Sequence, residues 1–292
     1  MKNSAKDLPF VSVVVPTLNR ERYLEACLNS LSNLDYPKSL LEVIVVDGGS
    51  SDGTRSMLMT SFKDFKTIVE NRDGISFARN TGGEFARGDI IAFTDDDCVV
   101  DKDWLKNLVT AFRDVKISVA GGPNFLLCPD LFPAKLVKSP TLGIFSLGET
   151  KHEVEFLITA NFAIRTRVFE TVKFDVLFGR RKTAIYKWEE DVEICQRLVD
   201  SGYKLMYEPT AKVYHNINPM RTGLKYVIAK EFSGGLSHYM IERKNKSKFF
   251  IGITSTRALI GNMLLFYRTR SITSFCWVLK SSAMVIASIL LP

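Results

Sequence analysis

The sequence is short of several features that would each have pointed to a different kind of protein. Its five cysteines, at 27, 98, 128, 195 and 276, are odd in number, widely spaced and contain no CxxC pair. That pattern excludes a disulfide scaffold and a zinc ribbon, and it suits a reducing compartment. No internal repeat or low-complexity tract interrupts the 292 residues, a length that suits one large domain with an appendage. A secretory leader is not expected, because Met1 to Leu8 is polar and the apolar run Phe10 to Val15 is too short for a signal core. The amino-terminal body is therefore expected in the cytosol. Acid is nearly missing from residues 211 to 292, which hold 2 Asp/Glu against 12 Lys/Arg, whereas the remainder is slightly acidic. Such a tail could meet nucleic acid or an anionic membrane face. The apolar segments between its charges favour the membrane, and no nucleic-acid partner is expected.

What the chain does have is a run of short apolar, β-branched segments alternating with helical periodicity. Phe10 to Val15, Val43 to Val46, Thr67 to Glu70 and Ile90 to Thr94 read as strands; Glu21 to Leu34, Thr54 to Phe62 and Ile75 to Ala86 read as helices between them. Near-continuous apolar strands separated by helices predict an α/β fold with a mostly parallel sheet covered on both faces, in which ligands gather at the carboxyl ends of strands. Those ends are Thr17, after Pro16, then Asp47, Arg72 and the consecutive acids Asp95, Asp96 and Asp97. Clustered carboxylates on the rim of a sheet could recruit a divalent cation, which would hold an otherwise repelled anionic substrate. The plainer alternative is a solvated loop capping the helix that starts near Trp104.

The second half is less regular. Pro and Gly interrupt Gly121 to Gly148, predicting short strands and a mobile loop, followed by a strand over Glu155 to Ile164. Glu190 to Ser201 carries apolar residues at helical spacing, stopped by Gly202 and opening on Trp188-Glu189-Glu190-Asp191. Strands over Lys204 to Tyr207 and Lys212 to His215 follow. From about Pro219 the character changes to a basic helix over Leu224 to Tyr239, a charged hinge over Arg243 to Lys248, and a mostly apolar stretch from Phe249 to Leu291. Ile272 to Leu291 is long enough to cross a bilayer, but Lys280 near its middle objects. A helix lying in the membrane interface and a packed core helix stay open as alternatives.

Five segments, in order, carry a resemblance: VSVVVPTLNRERYLEACLNSL, EVIVVDGGSSDGT, ISFARNTGGEFARGDIIAFTDDDC, NFAIRTRVFE and WEEDVEICQRLVDSGYKLMYEPTAKVYH. Together they resemble a family-2-type glycosyltransferase with the GT-A nucleotide-sugar-binding fold, over roughly residues 10 to 215. The resemblance implies a Rossmann-like catalytic domain over residues 1–218 and transfer of a sugar, with inversion, from a UDP- or GDP-linked donor. The basic, apolar character of the helical tail over 219–292 adds the expectation of membrane association at the cytoplasmic face of the cell membrane and of a lipid-linked or cell-surface glycan acceptor.

The resemblance further assigns roles. Pro16, Thr17, Asp47 and Arg72 would grip the nucleotide. Asp95 and Asp97 match the acids of a DxD motif, the first toward the ribose and the last binding Mn²⁺ or Mg²⁺, with Asp96 between them on the donor side or acting as a structural acceptor. Asp191 aligns with the family's catalytic base, and Glu190 would orient it or bind the acceptor. His215 falls where relatives carry a histidine that can join the metal. Each assignment has a plainer alternative: Asp47 as a turn-former before Gly48-Gly49, Arg72 as a surface charge, Glu190 and Asp191 as acids complementing a helix dipole, His215 as a packed side chain. Thr159-Ala160-Asn161 and Val172-Lys173-Phe174 depart from the usual glycines, and no QxxRW signature of processive synthases is present. A nucleotidyltransferase would need a basic, glycine-rich loop after the first strand, which Val11 to Arg20 lacks. A two-carboxylate glycoside hydrolase and a membrane-tethered, non-catalytic sugar-nucleotide-binding protein complete the alternatives.

Overall fold

The computed structural model describes residues 8–132, 143–179, 189–218, 223–244, 246, 248–269 and 272–290. Trp188, part of the loop over Gly121 to Gly148, and parts of the expected hinge and tail boundary lie outside the described residues. Contacts divide the chain into two compact units. A sheet unit holds residues 1–127, 145–176 and 191–216, and a helical unit holds residues 128–144, 177–190 and 217–292. Residues 128–144 and 177–190, expected within a first domain ending at 218, thus group with the tail.

The strands of the sheet unit are β1 (Val11–Thr17), β2 (Leu41–Asp47), β3 (Lys66–Val69), β4 (Ile90–Phe93), β5 (Cys98–Val100), β6 (Ile117–Gly121), β7 (Asn124–Leu126), β8 (His152–Val154), β9 (Phe162–Arg165), β10 (Lys204–Tyr207) and β11 (Val213–His215). Its helices are α1 (Glu21–Ser32), α2 (Thr54–Ser61), α3 (Ile75–Glu84), α4 (Trp104–Leu108), α5 (Thr166–Phe169) and α6 (Glu190–Asp200), of which α6 starts at the last residue assigned to the helical unit. The main sheet runs β3-β2-β1-β4-β9-β6-β10-β8, and a three-stranded sheet runs β5-β11-β7. Strands β3, β2, β1 and β4 pair in parallel, as do β6 and β10, while β9 and β8 run antiparallel to their neighbours.

Alternation along β1 sends side chains to two separate cores. Val11, Val13 and Val15 join Leu24, Cys27, Leu28 and Leu31 of α1 and Trp104 of α4 on one face. On the other, Val14 meets Ile44, Val46, Ile91 and Phe93 together with Ala78 of α3 and Ile194, Cys195 and Leu198 of α6. Helix α3 reaches this face because it carries Gly82 and Gly83: a Cβ at Gly82 would collide with Val14 Cγ1, and one at Gly83 with the Phe169 ring. Helices therefore cover both faces of a mostly parallel sheet, as the near-continuous apolar strands require.

The strand expected over Glu155 to Ile164 is shorter, since β9 begins only at Phe162. Leu157 turns inward and Thr159–Asn161 make one 3₁₀ turn. That turn is fixed by Asn161, whose buried amide donates to the carbonyls of Pro123 and Ala211 and accepts from Trp104 Nε1 at 2.8 Å. Three buried hydrogen bonds outweigh the extended preference of the apolar run.

The helical unit contains α7 (Leu224–Arg243), α8 (Lys248–Thr269) and α9 (Ile272–Leu290). The expected basic helix continues one turn further, to Arg243, and the apolar stretch divides into two helices. Among the described residues no helix is long and apolar enough to cross a membrane. The small apolar cluster at the centre of this unit is Tyr239, Ile251 and Ala287.

Candidate active site

Register decides which residues share the carboxyl edge of the sheet. Thr17 lies opposite Asp47 across β1 and β2, Asp47 opposite Val69 of β3, and Val14 opposite Phe93 of β4. The residues that follow these strand ends, Arg72 and Asp95 to Asp97 among them, therefore leave the sheet on one rim. Pro16 is buried within β1 opposite Val46 and contributes backbone shape there.

The three consecutive acids do different things. Asp95 accepts from Arg79 at 2.7 Å, and Arg79 is 1 % exposed, with its guanidinium over the Phe174 ring. Asp96 is buried and accepts from Thr17 Oγ1 at 2.8 Å, the structural acceptor role that was one of its two expected parts. Burial and the neighbouring Asp97 raise the Asp96 carboxyl to about 7, against the pull of Arg20 and Thr17. Asp97 is gripped by Arg20 through one oxygen and lies 3.0 Å from His215 Nε2 through the other. Arg20 also sits over the Tyr23 ring; burial works against its charge, but Asp96 and Asp97 hold the guanidinium firmly protonated.

His215 reaches Asp97 because β11 pairs antiparallel with β5, setting His215 opposite Cys98. Asp97, Cys98 and His215 place ligand atoms within 4.8 Å of one another, the single such group among the described residues. Burial first, and then the adjacent acids, push the Cys98 thiol up, so it stays a neutral thiol. The donors left are one carboxylate and one imidazole whose Nδ1 is buried without a partner among the described residues. This set fits a hard divalent cation that takes its remaining ligands from substrate oxygens, and it does not fit a closed zinc site.

The other expected residues are more locally committed. Asp47 is fully buried, accepting the Ser50 amide at 2.9 Å and Arg55 Nε at 2.8 Å, so it organises the turn after β2. Arg72 forks onto Glu70 at 2.9 and 2.5 Å and lies over Phe77. Glu70 in turn is held at about 2, chiefly by Arg72 and with help from Thr81, burial notwithstanding. Glu190 and Asp191 open α6, and Asp191 accepts the Val192 amide at 2.9 Å. One turn later, Cys195 donates to the Leu157 carbonyl at 3.4 Å, fixing the helix against the core that also contains Phe93.

Sequence reasoning missed Arg20 and Arg79. Arg79 left a signal, a charged side chain on the otherwise small and apolar face of α3 formed by Ser76, Ala78 and Gly83. Arg20 left none beyond its place in the loop after β1.

Residues 12–173 match the family described as glycosyl transferase family 2. Glycosyltransferase AglE of Haloferax volcanii is 29% identical over 250 residues, covering 83% of this chain and 78% of the relative. A glucosyl-dolichyl phosphate glucuronosyltransferase of the same organism is 30% identical over 247 residues, covering 80% and 77%. The mannosyltransferase PcManGT of Pyrobaculum calidifontis, solved with GDP-Man and Mn²⁺, superposes with a TM-score of 0.61 at 19% identity, covering 98% of this chain and 74% of that one, a likeness of fold. The mostly parallel sheet flanked by helices is thus consistent with a GT-A fold, and the chain belongs to glycosyl transferase family 2 as a glycosyltransferase.

Proposed function

We propose that the protein is an inverting glycosyltransferase that moves a sugar from a UDP- or GDP-linked donor to a lipid-linked glycan precursor at the cytoplasmic face of a membrane. The observation that carries this reading is the Asp97 carboxylate shared between Arg20 and His215 at the end of an apolar strand. Asp97 and His215 would hold Mn²⁺ or Mg²⁺, with the donor diphosphate completing the shell, and the cation would neutralise charge growing on the leaving diphosphate. Arg20 and Arg79 add fixed positive charge beside the three acids, lowering the repulsion a diphosphate meets. Asp95 faces the ribose, while Thr17 and Asp96 shape the floor. Pro16 and Asp47, both buried, would shape the nucleotide end from beneath through the backbone and the turn after β2, with the exposed Arg72 at its edge. Asp191 takes the proton from the acceptor hydroxyl as its oxygen attacks the anomeric carbon from the face opposite the diphosphate, and Glu190 orients acceptor or base.

The lipid-linked acceptor rests on two supports. A relative's name describes action on a glucosyl-dolichyl phosphate, and the helical unit exposes Ile260, Met263, Leu264, Tyr267, Trp277, Ile289 and Leu290 within a strongly basic stretch. Apolar side chains among cations suit an in-plane seat on an anionic membrane.

The test is the thermal stability of the purified protein with UDP- and GDP-sugars, with and without Mn²⁺, in wild type and Asp97→Ala. A metal-dependent rise lost in Asp97→Ala is expected, because ligands that bind only the folded state stabilise it. A rise that survives Asp97→Ala would place the metal elsewhere, and no rise with any donor would remove the nucleotide-sugar reading.

A further inference from the structure

The charge least expected in the tail is Lys280, near the middle of the apolar helix α9. In the helical unit its Nζ donates to Glu189 Oε1 at 2.6 Å, and His238 Nδ1 of α7 lies 3.3 Å from Glu189 Oε2. Glu189 is only 13 % exposed, with Lys280 and His238 at 30 % and 31 %. Burial works to raise its carboxyl, but the His238 hydrogen bond and the Lys280 charge hold it below the ordinary carboxylate range. The carboxylate is therefore ionised, largely buried and shared between two helices.

Two further observations mark this arrangement as built. Helix α7 carries Gly234 and Gly235 in its interior, a costly pair of residues for a helix. A Cβ at Gly235 would collide with the Lys280 carbonyl oxygen, and one at Gly234 would come within 3.4 Å of Glu189 Oε1, so the glycines let α9 and the carboxylate approach. Glu189 itself has φ 75°, a left-handed conformation that a non-glycine residue keeps only where its surroundings impose it. The next two residues are Glu190 and Asp191, the first turn of α6.

We infer that Glu189 is a positioning residue: clamped by Lys280 and His238, it fixes the backbone from which α6 starts, and with it the direction of Asp191. The inference rests on Asp191 being the base of the proposed reaction.

The test uses the full chain with Lys280→Met, Glu189→Gln, the double variant and Lys280→Arg, beside Asp191→Asn. The donor is whichever of UDP-glucose, UDP-glucuronic acid and GDP-mannose stabilises the wild type with Mn²⁺. Three quantities are measured: donor affinity, release of UDP or GDP over vesicles containing a polyprenyl-phosphate-linked sugar, and amide hydrogen exchange over residues 190–193. Lys280→Met is expected to slow release at least tenfold, leave donor affinity within about twofold, and accelerate exchange at the start of α6. Glu189→Gln should match it, the double variant should be no worse than either, and Lys280→Arg should restore both readouts. If Lys280→Met does not melt cooperatively, Glu189→Gln alone, which keeps a hydrogen-bond acceptor of the same shape, decides by the same readouts. Wild-type release and exchange at residues 190–193, even with faster exchange in α7 and α9, would overturn the inference and leave the pair as a brace between helices. Unchanged release in Asp191→Asn would instead remove Asp191 as the base, while exchange over residues 190–193 still decides whether Glu189 holds that backbone.

Discussion

In the sheet unit, the core clusters join the valines, isoleucines and phenylalanines of the strands to the apolar faces of the helices packed on them, and acids gather where the strands end. In the helical unit Ser237, Ser255 and Ser281 are buried, Glu189 nearly so, while Ile260, Met263, Leu264, Tyr267, Trp277, Ile289 and Leu290 stay exposed. Asn262 of α8 even hydrogen-bonds Ser281 of α9 at 2.8 Å. The sheet unit obeys the ordinary rule of water-driven burial. Among its described residues the helical unit adds small and polar contacts such as these to its apolar cluster while several large apolar side chains stay exposed, a distribution that suits a surface covered in part by something other than water. The same chain thus places charge in two ways, clustered on the rim of the sheet, where the proposed reaction would use it, and paired between helices in the tail.

The comparison can be broken most forcefully at the proposed base. Asp191→Asn should lower turnover by about 10² to 10⁴-fold, the usual worth of a general base, with donor affinity and melting temperature near wild type. Steady-state release of UDP or GDP checks this. Next in size, Phe93→Ala empties a site where the rings of Phe162, Phe169 and Phe174 converge, at centroid distances of 6.3, 5.6 and 5.3 Å. A loss of about 3 to 5 kcal/mol in denaturant unfolding is expected. Asn161→Ala strands the Trp104 indole and two buried carbonyls, and should cost about 2 to 3 kcal/mol in the same measurement. By contrast, Leu264→Ser, at a side chain 59% exposed, should change stability by no more than about 0.5 kcal/mol yet weaken binding to anionic vesicles in a sedimentation assay. A large loss of stability there would show that the exposed apolar face is covered by protein.

The smallest effect concerns pH. Glu70 is held at about 2 against an ordinary value of 4.5, so its stabilising contribution is full above the unfolded value and is lost as pH falls from 4.5 toward 2. Arg72→Ala should flatten stability against pH in that window and leave neutral stability almost unchanged, since Arg72 is 59 % exposed and the pair is screened.

Much of the sheet unit was legible because its strands state their own case. Val11–Thr17 is apolar but for Ser12 and Thr17 and Ile90–Phe93 is wholly apolar, a pattern that suits strands covered on both faces, and each ends close to where the polar residues begin. Helix α6 ends at Asp200 and the chain turns at Gly202 with φ 80°, as its glycine predicts. The acid rim was legible for the same reason, since strand ends and charges are local facts. Strand β5 was not, because Cys98–Val100 is three residues long and exists through its pairing with β11. Nor were the partners of the charges: nothing near Asp97 in sequence names Arg20, and nothing near Lys280 names Glu189, 91 residues away.

By itself, then, the sequence determined the alternation of strands and helices up to the acid cluster, the edge of the sheet on which carboxylates gather, and the basic, apolar character of the tail, because periodicity and composition act over a few residues. The tertiary structure alone decided that Asp47 organises a turn, that Asp97 meets His215 through a strand more than a hundred residues downstream, and that a lysine in an apolar helix finds its acid beside Glu190 and Asp191. Those outcomes depend on which distant groups must share a buried charge, and that is settled only when the chain has closed on itself.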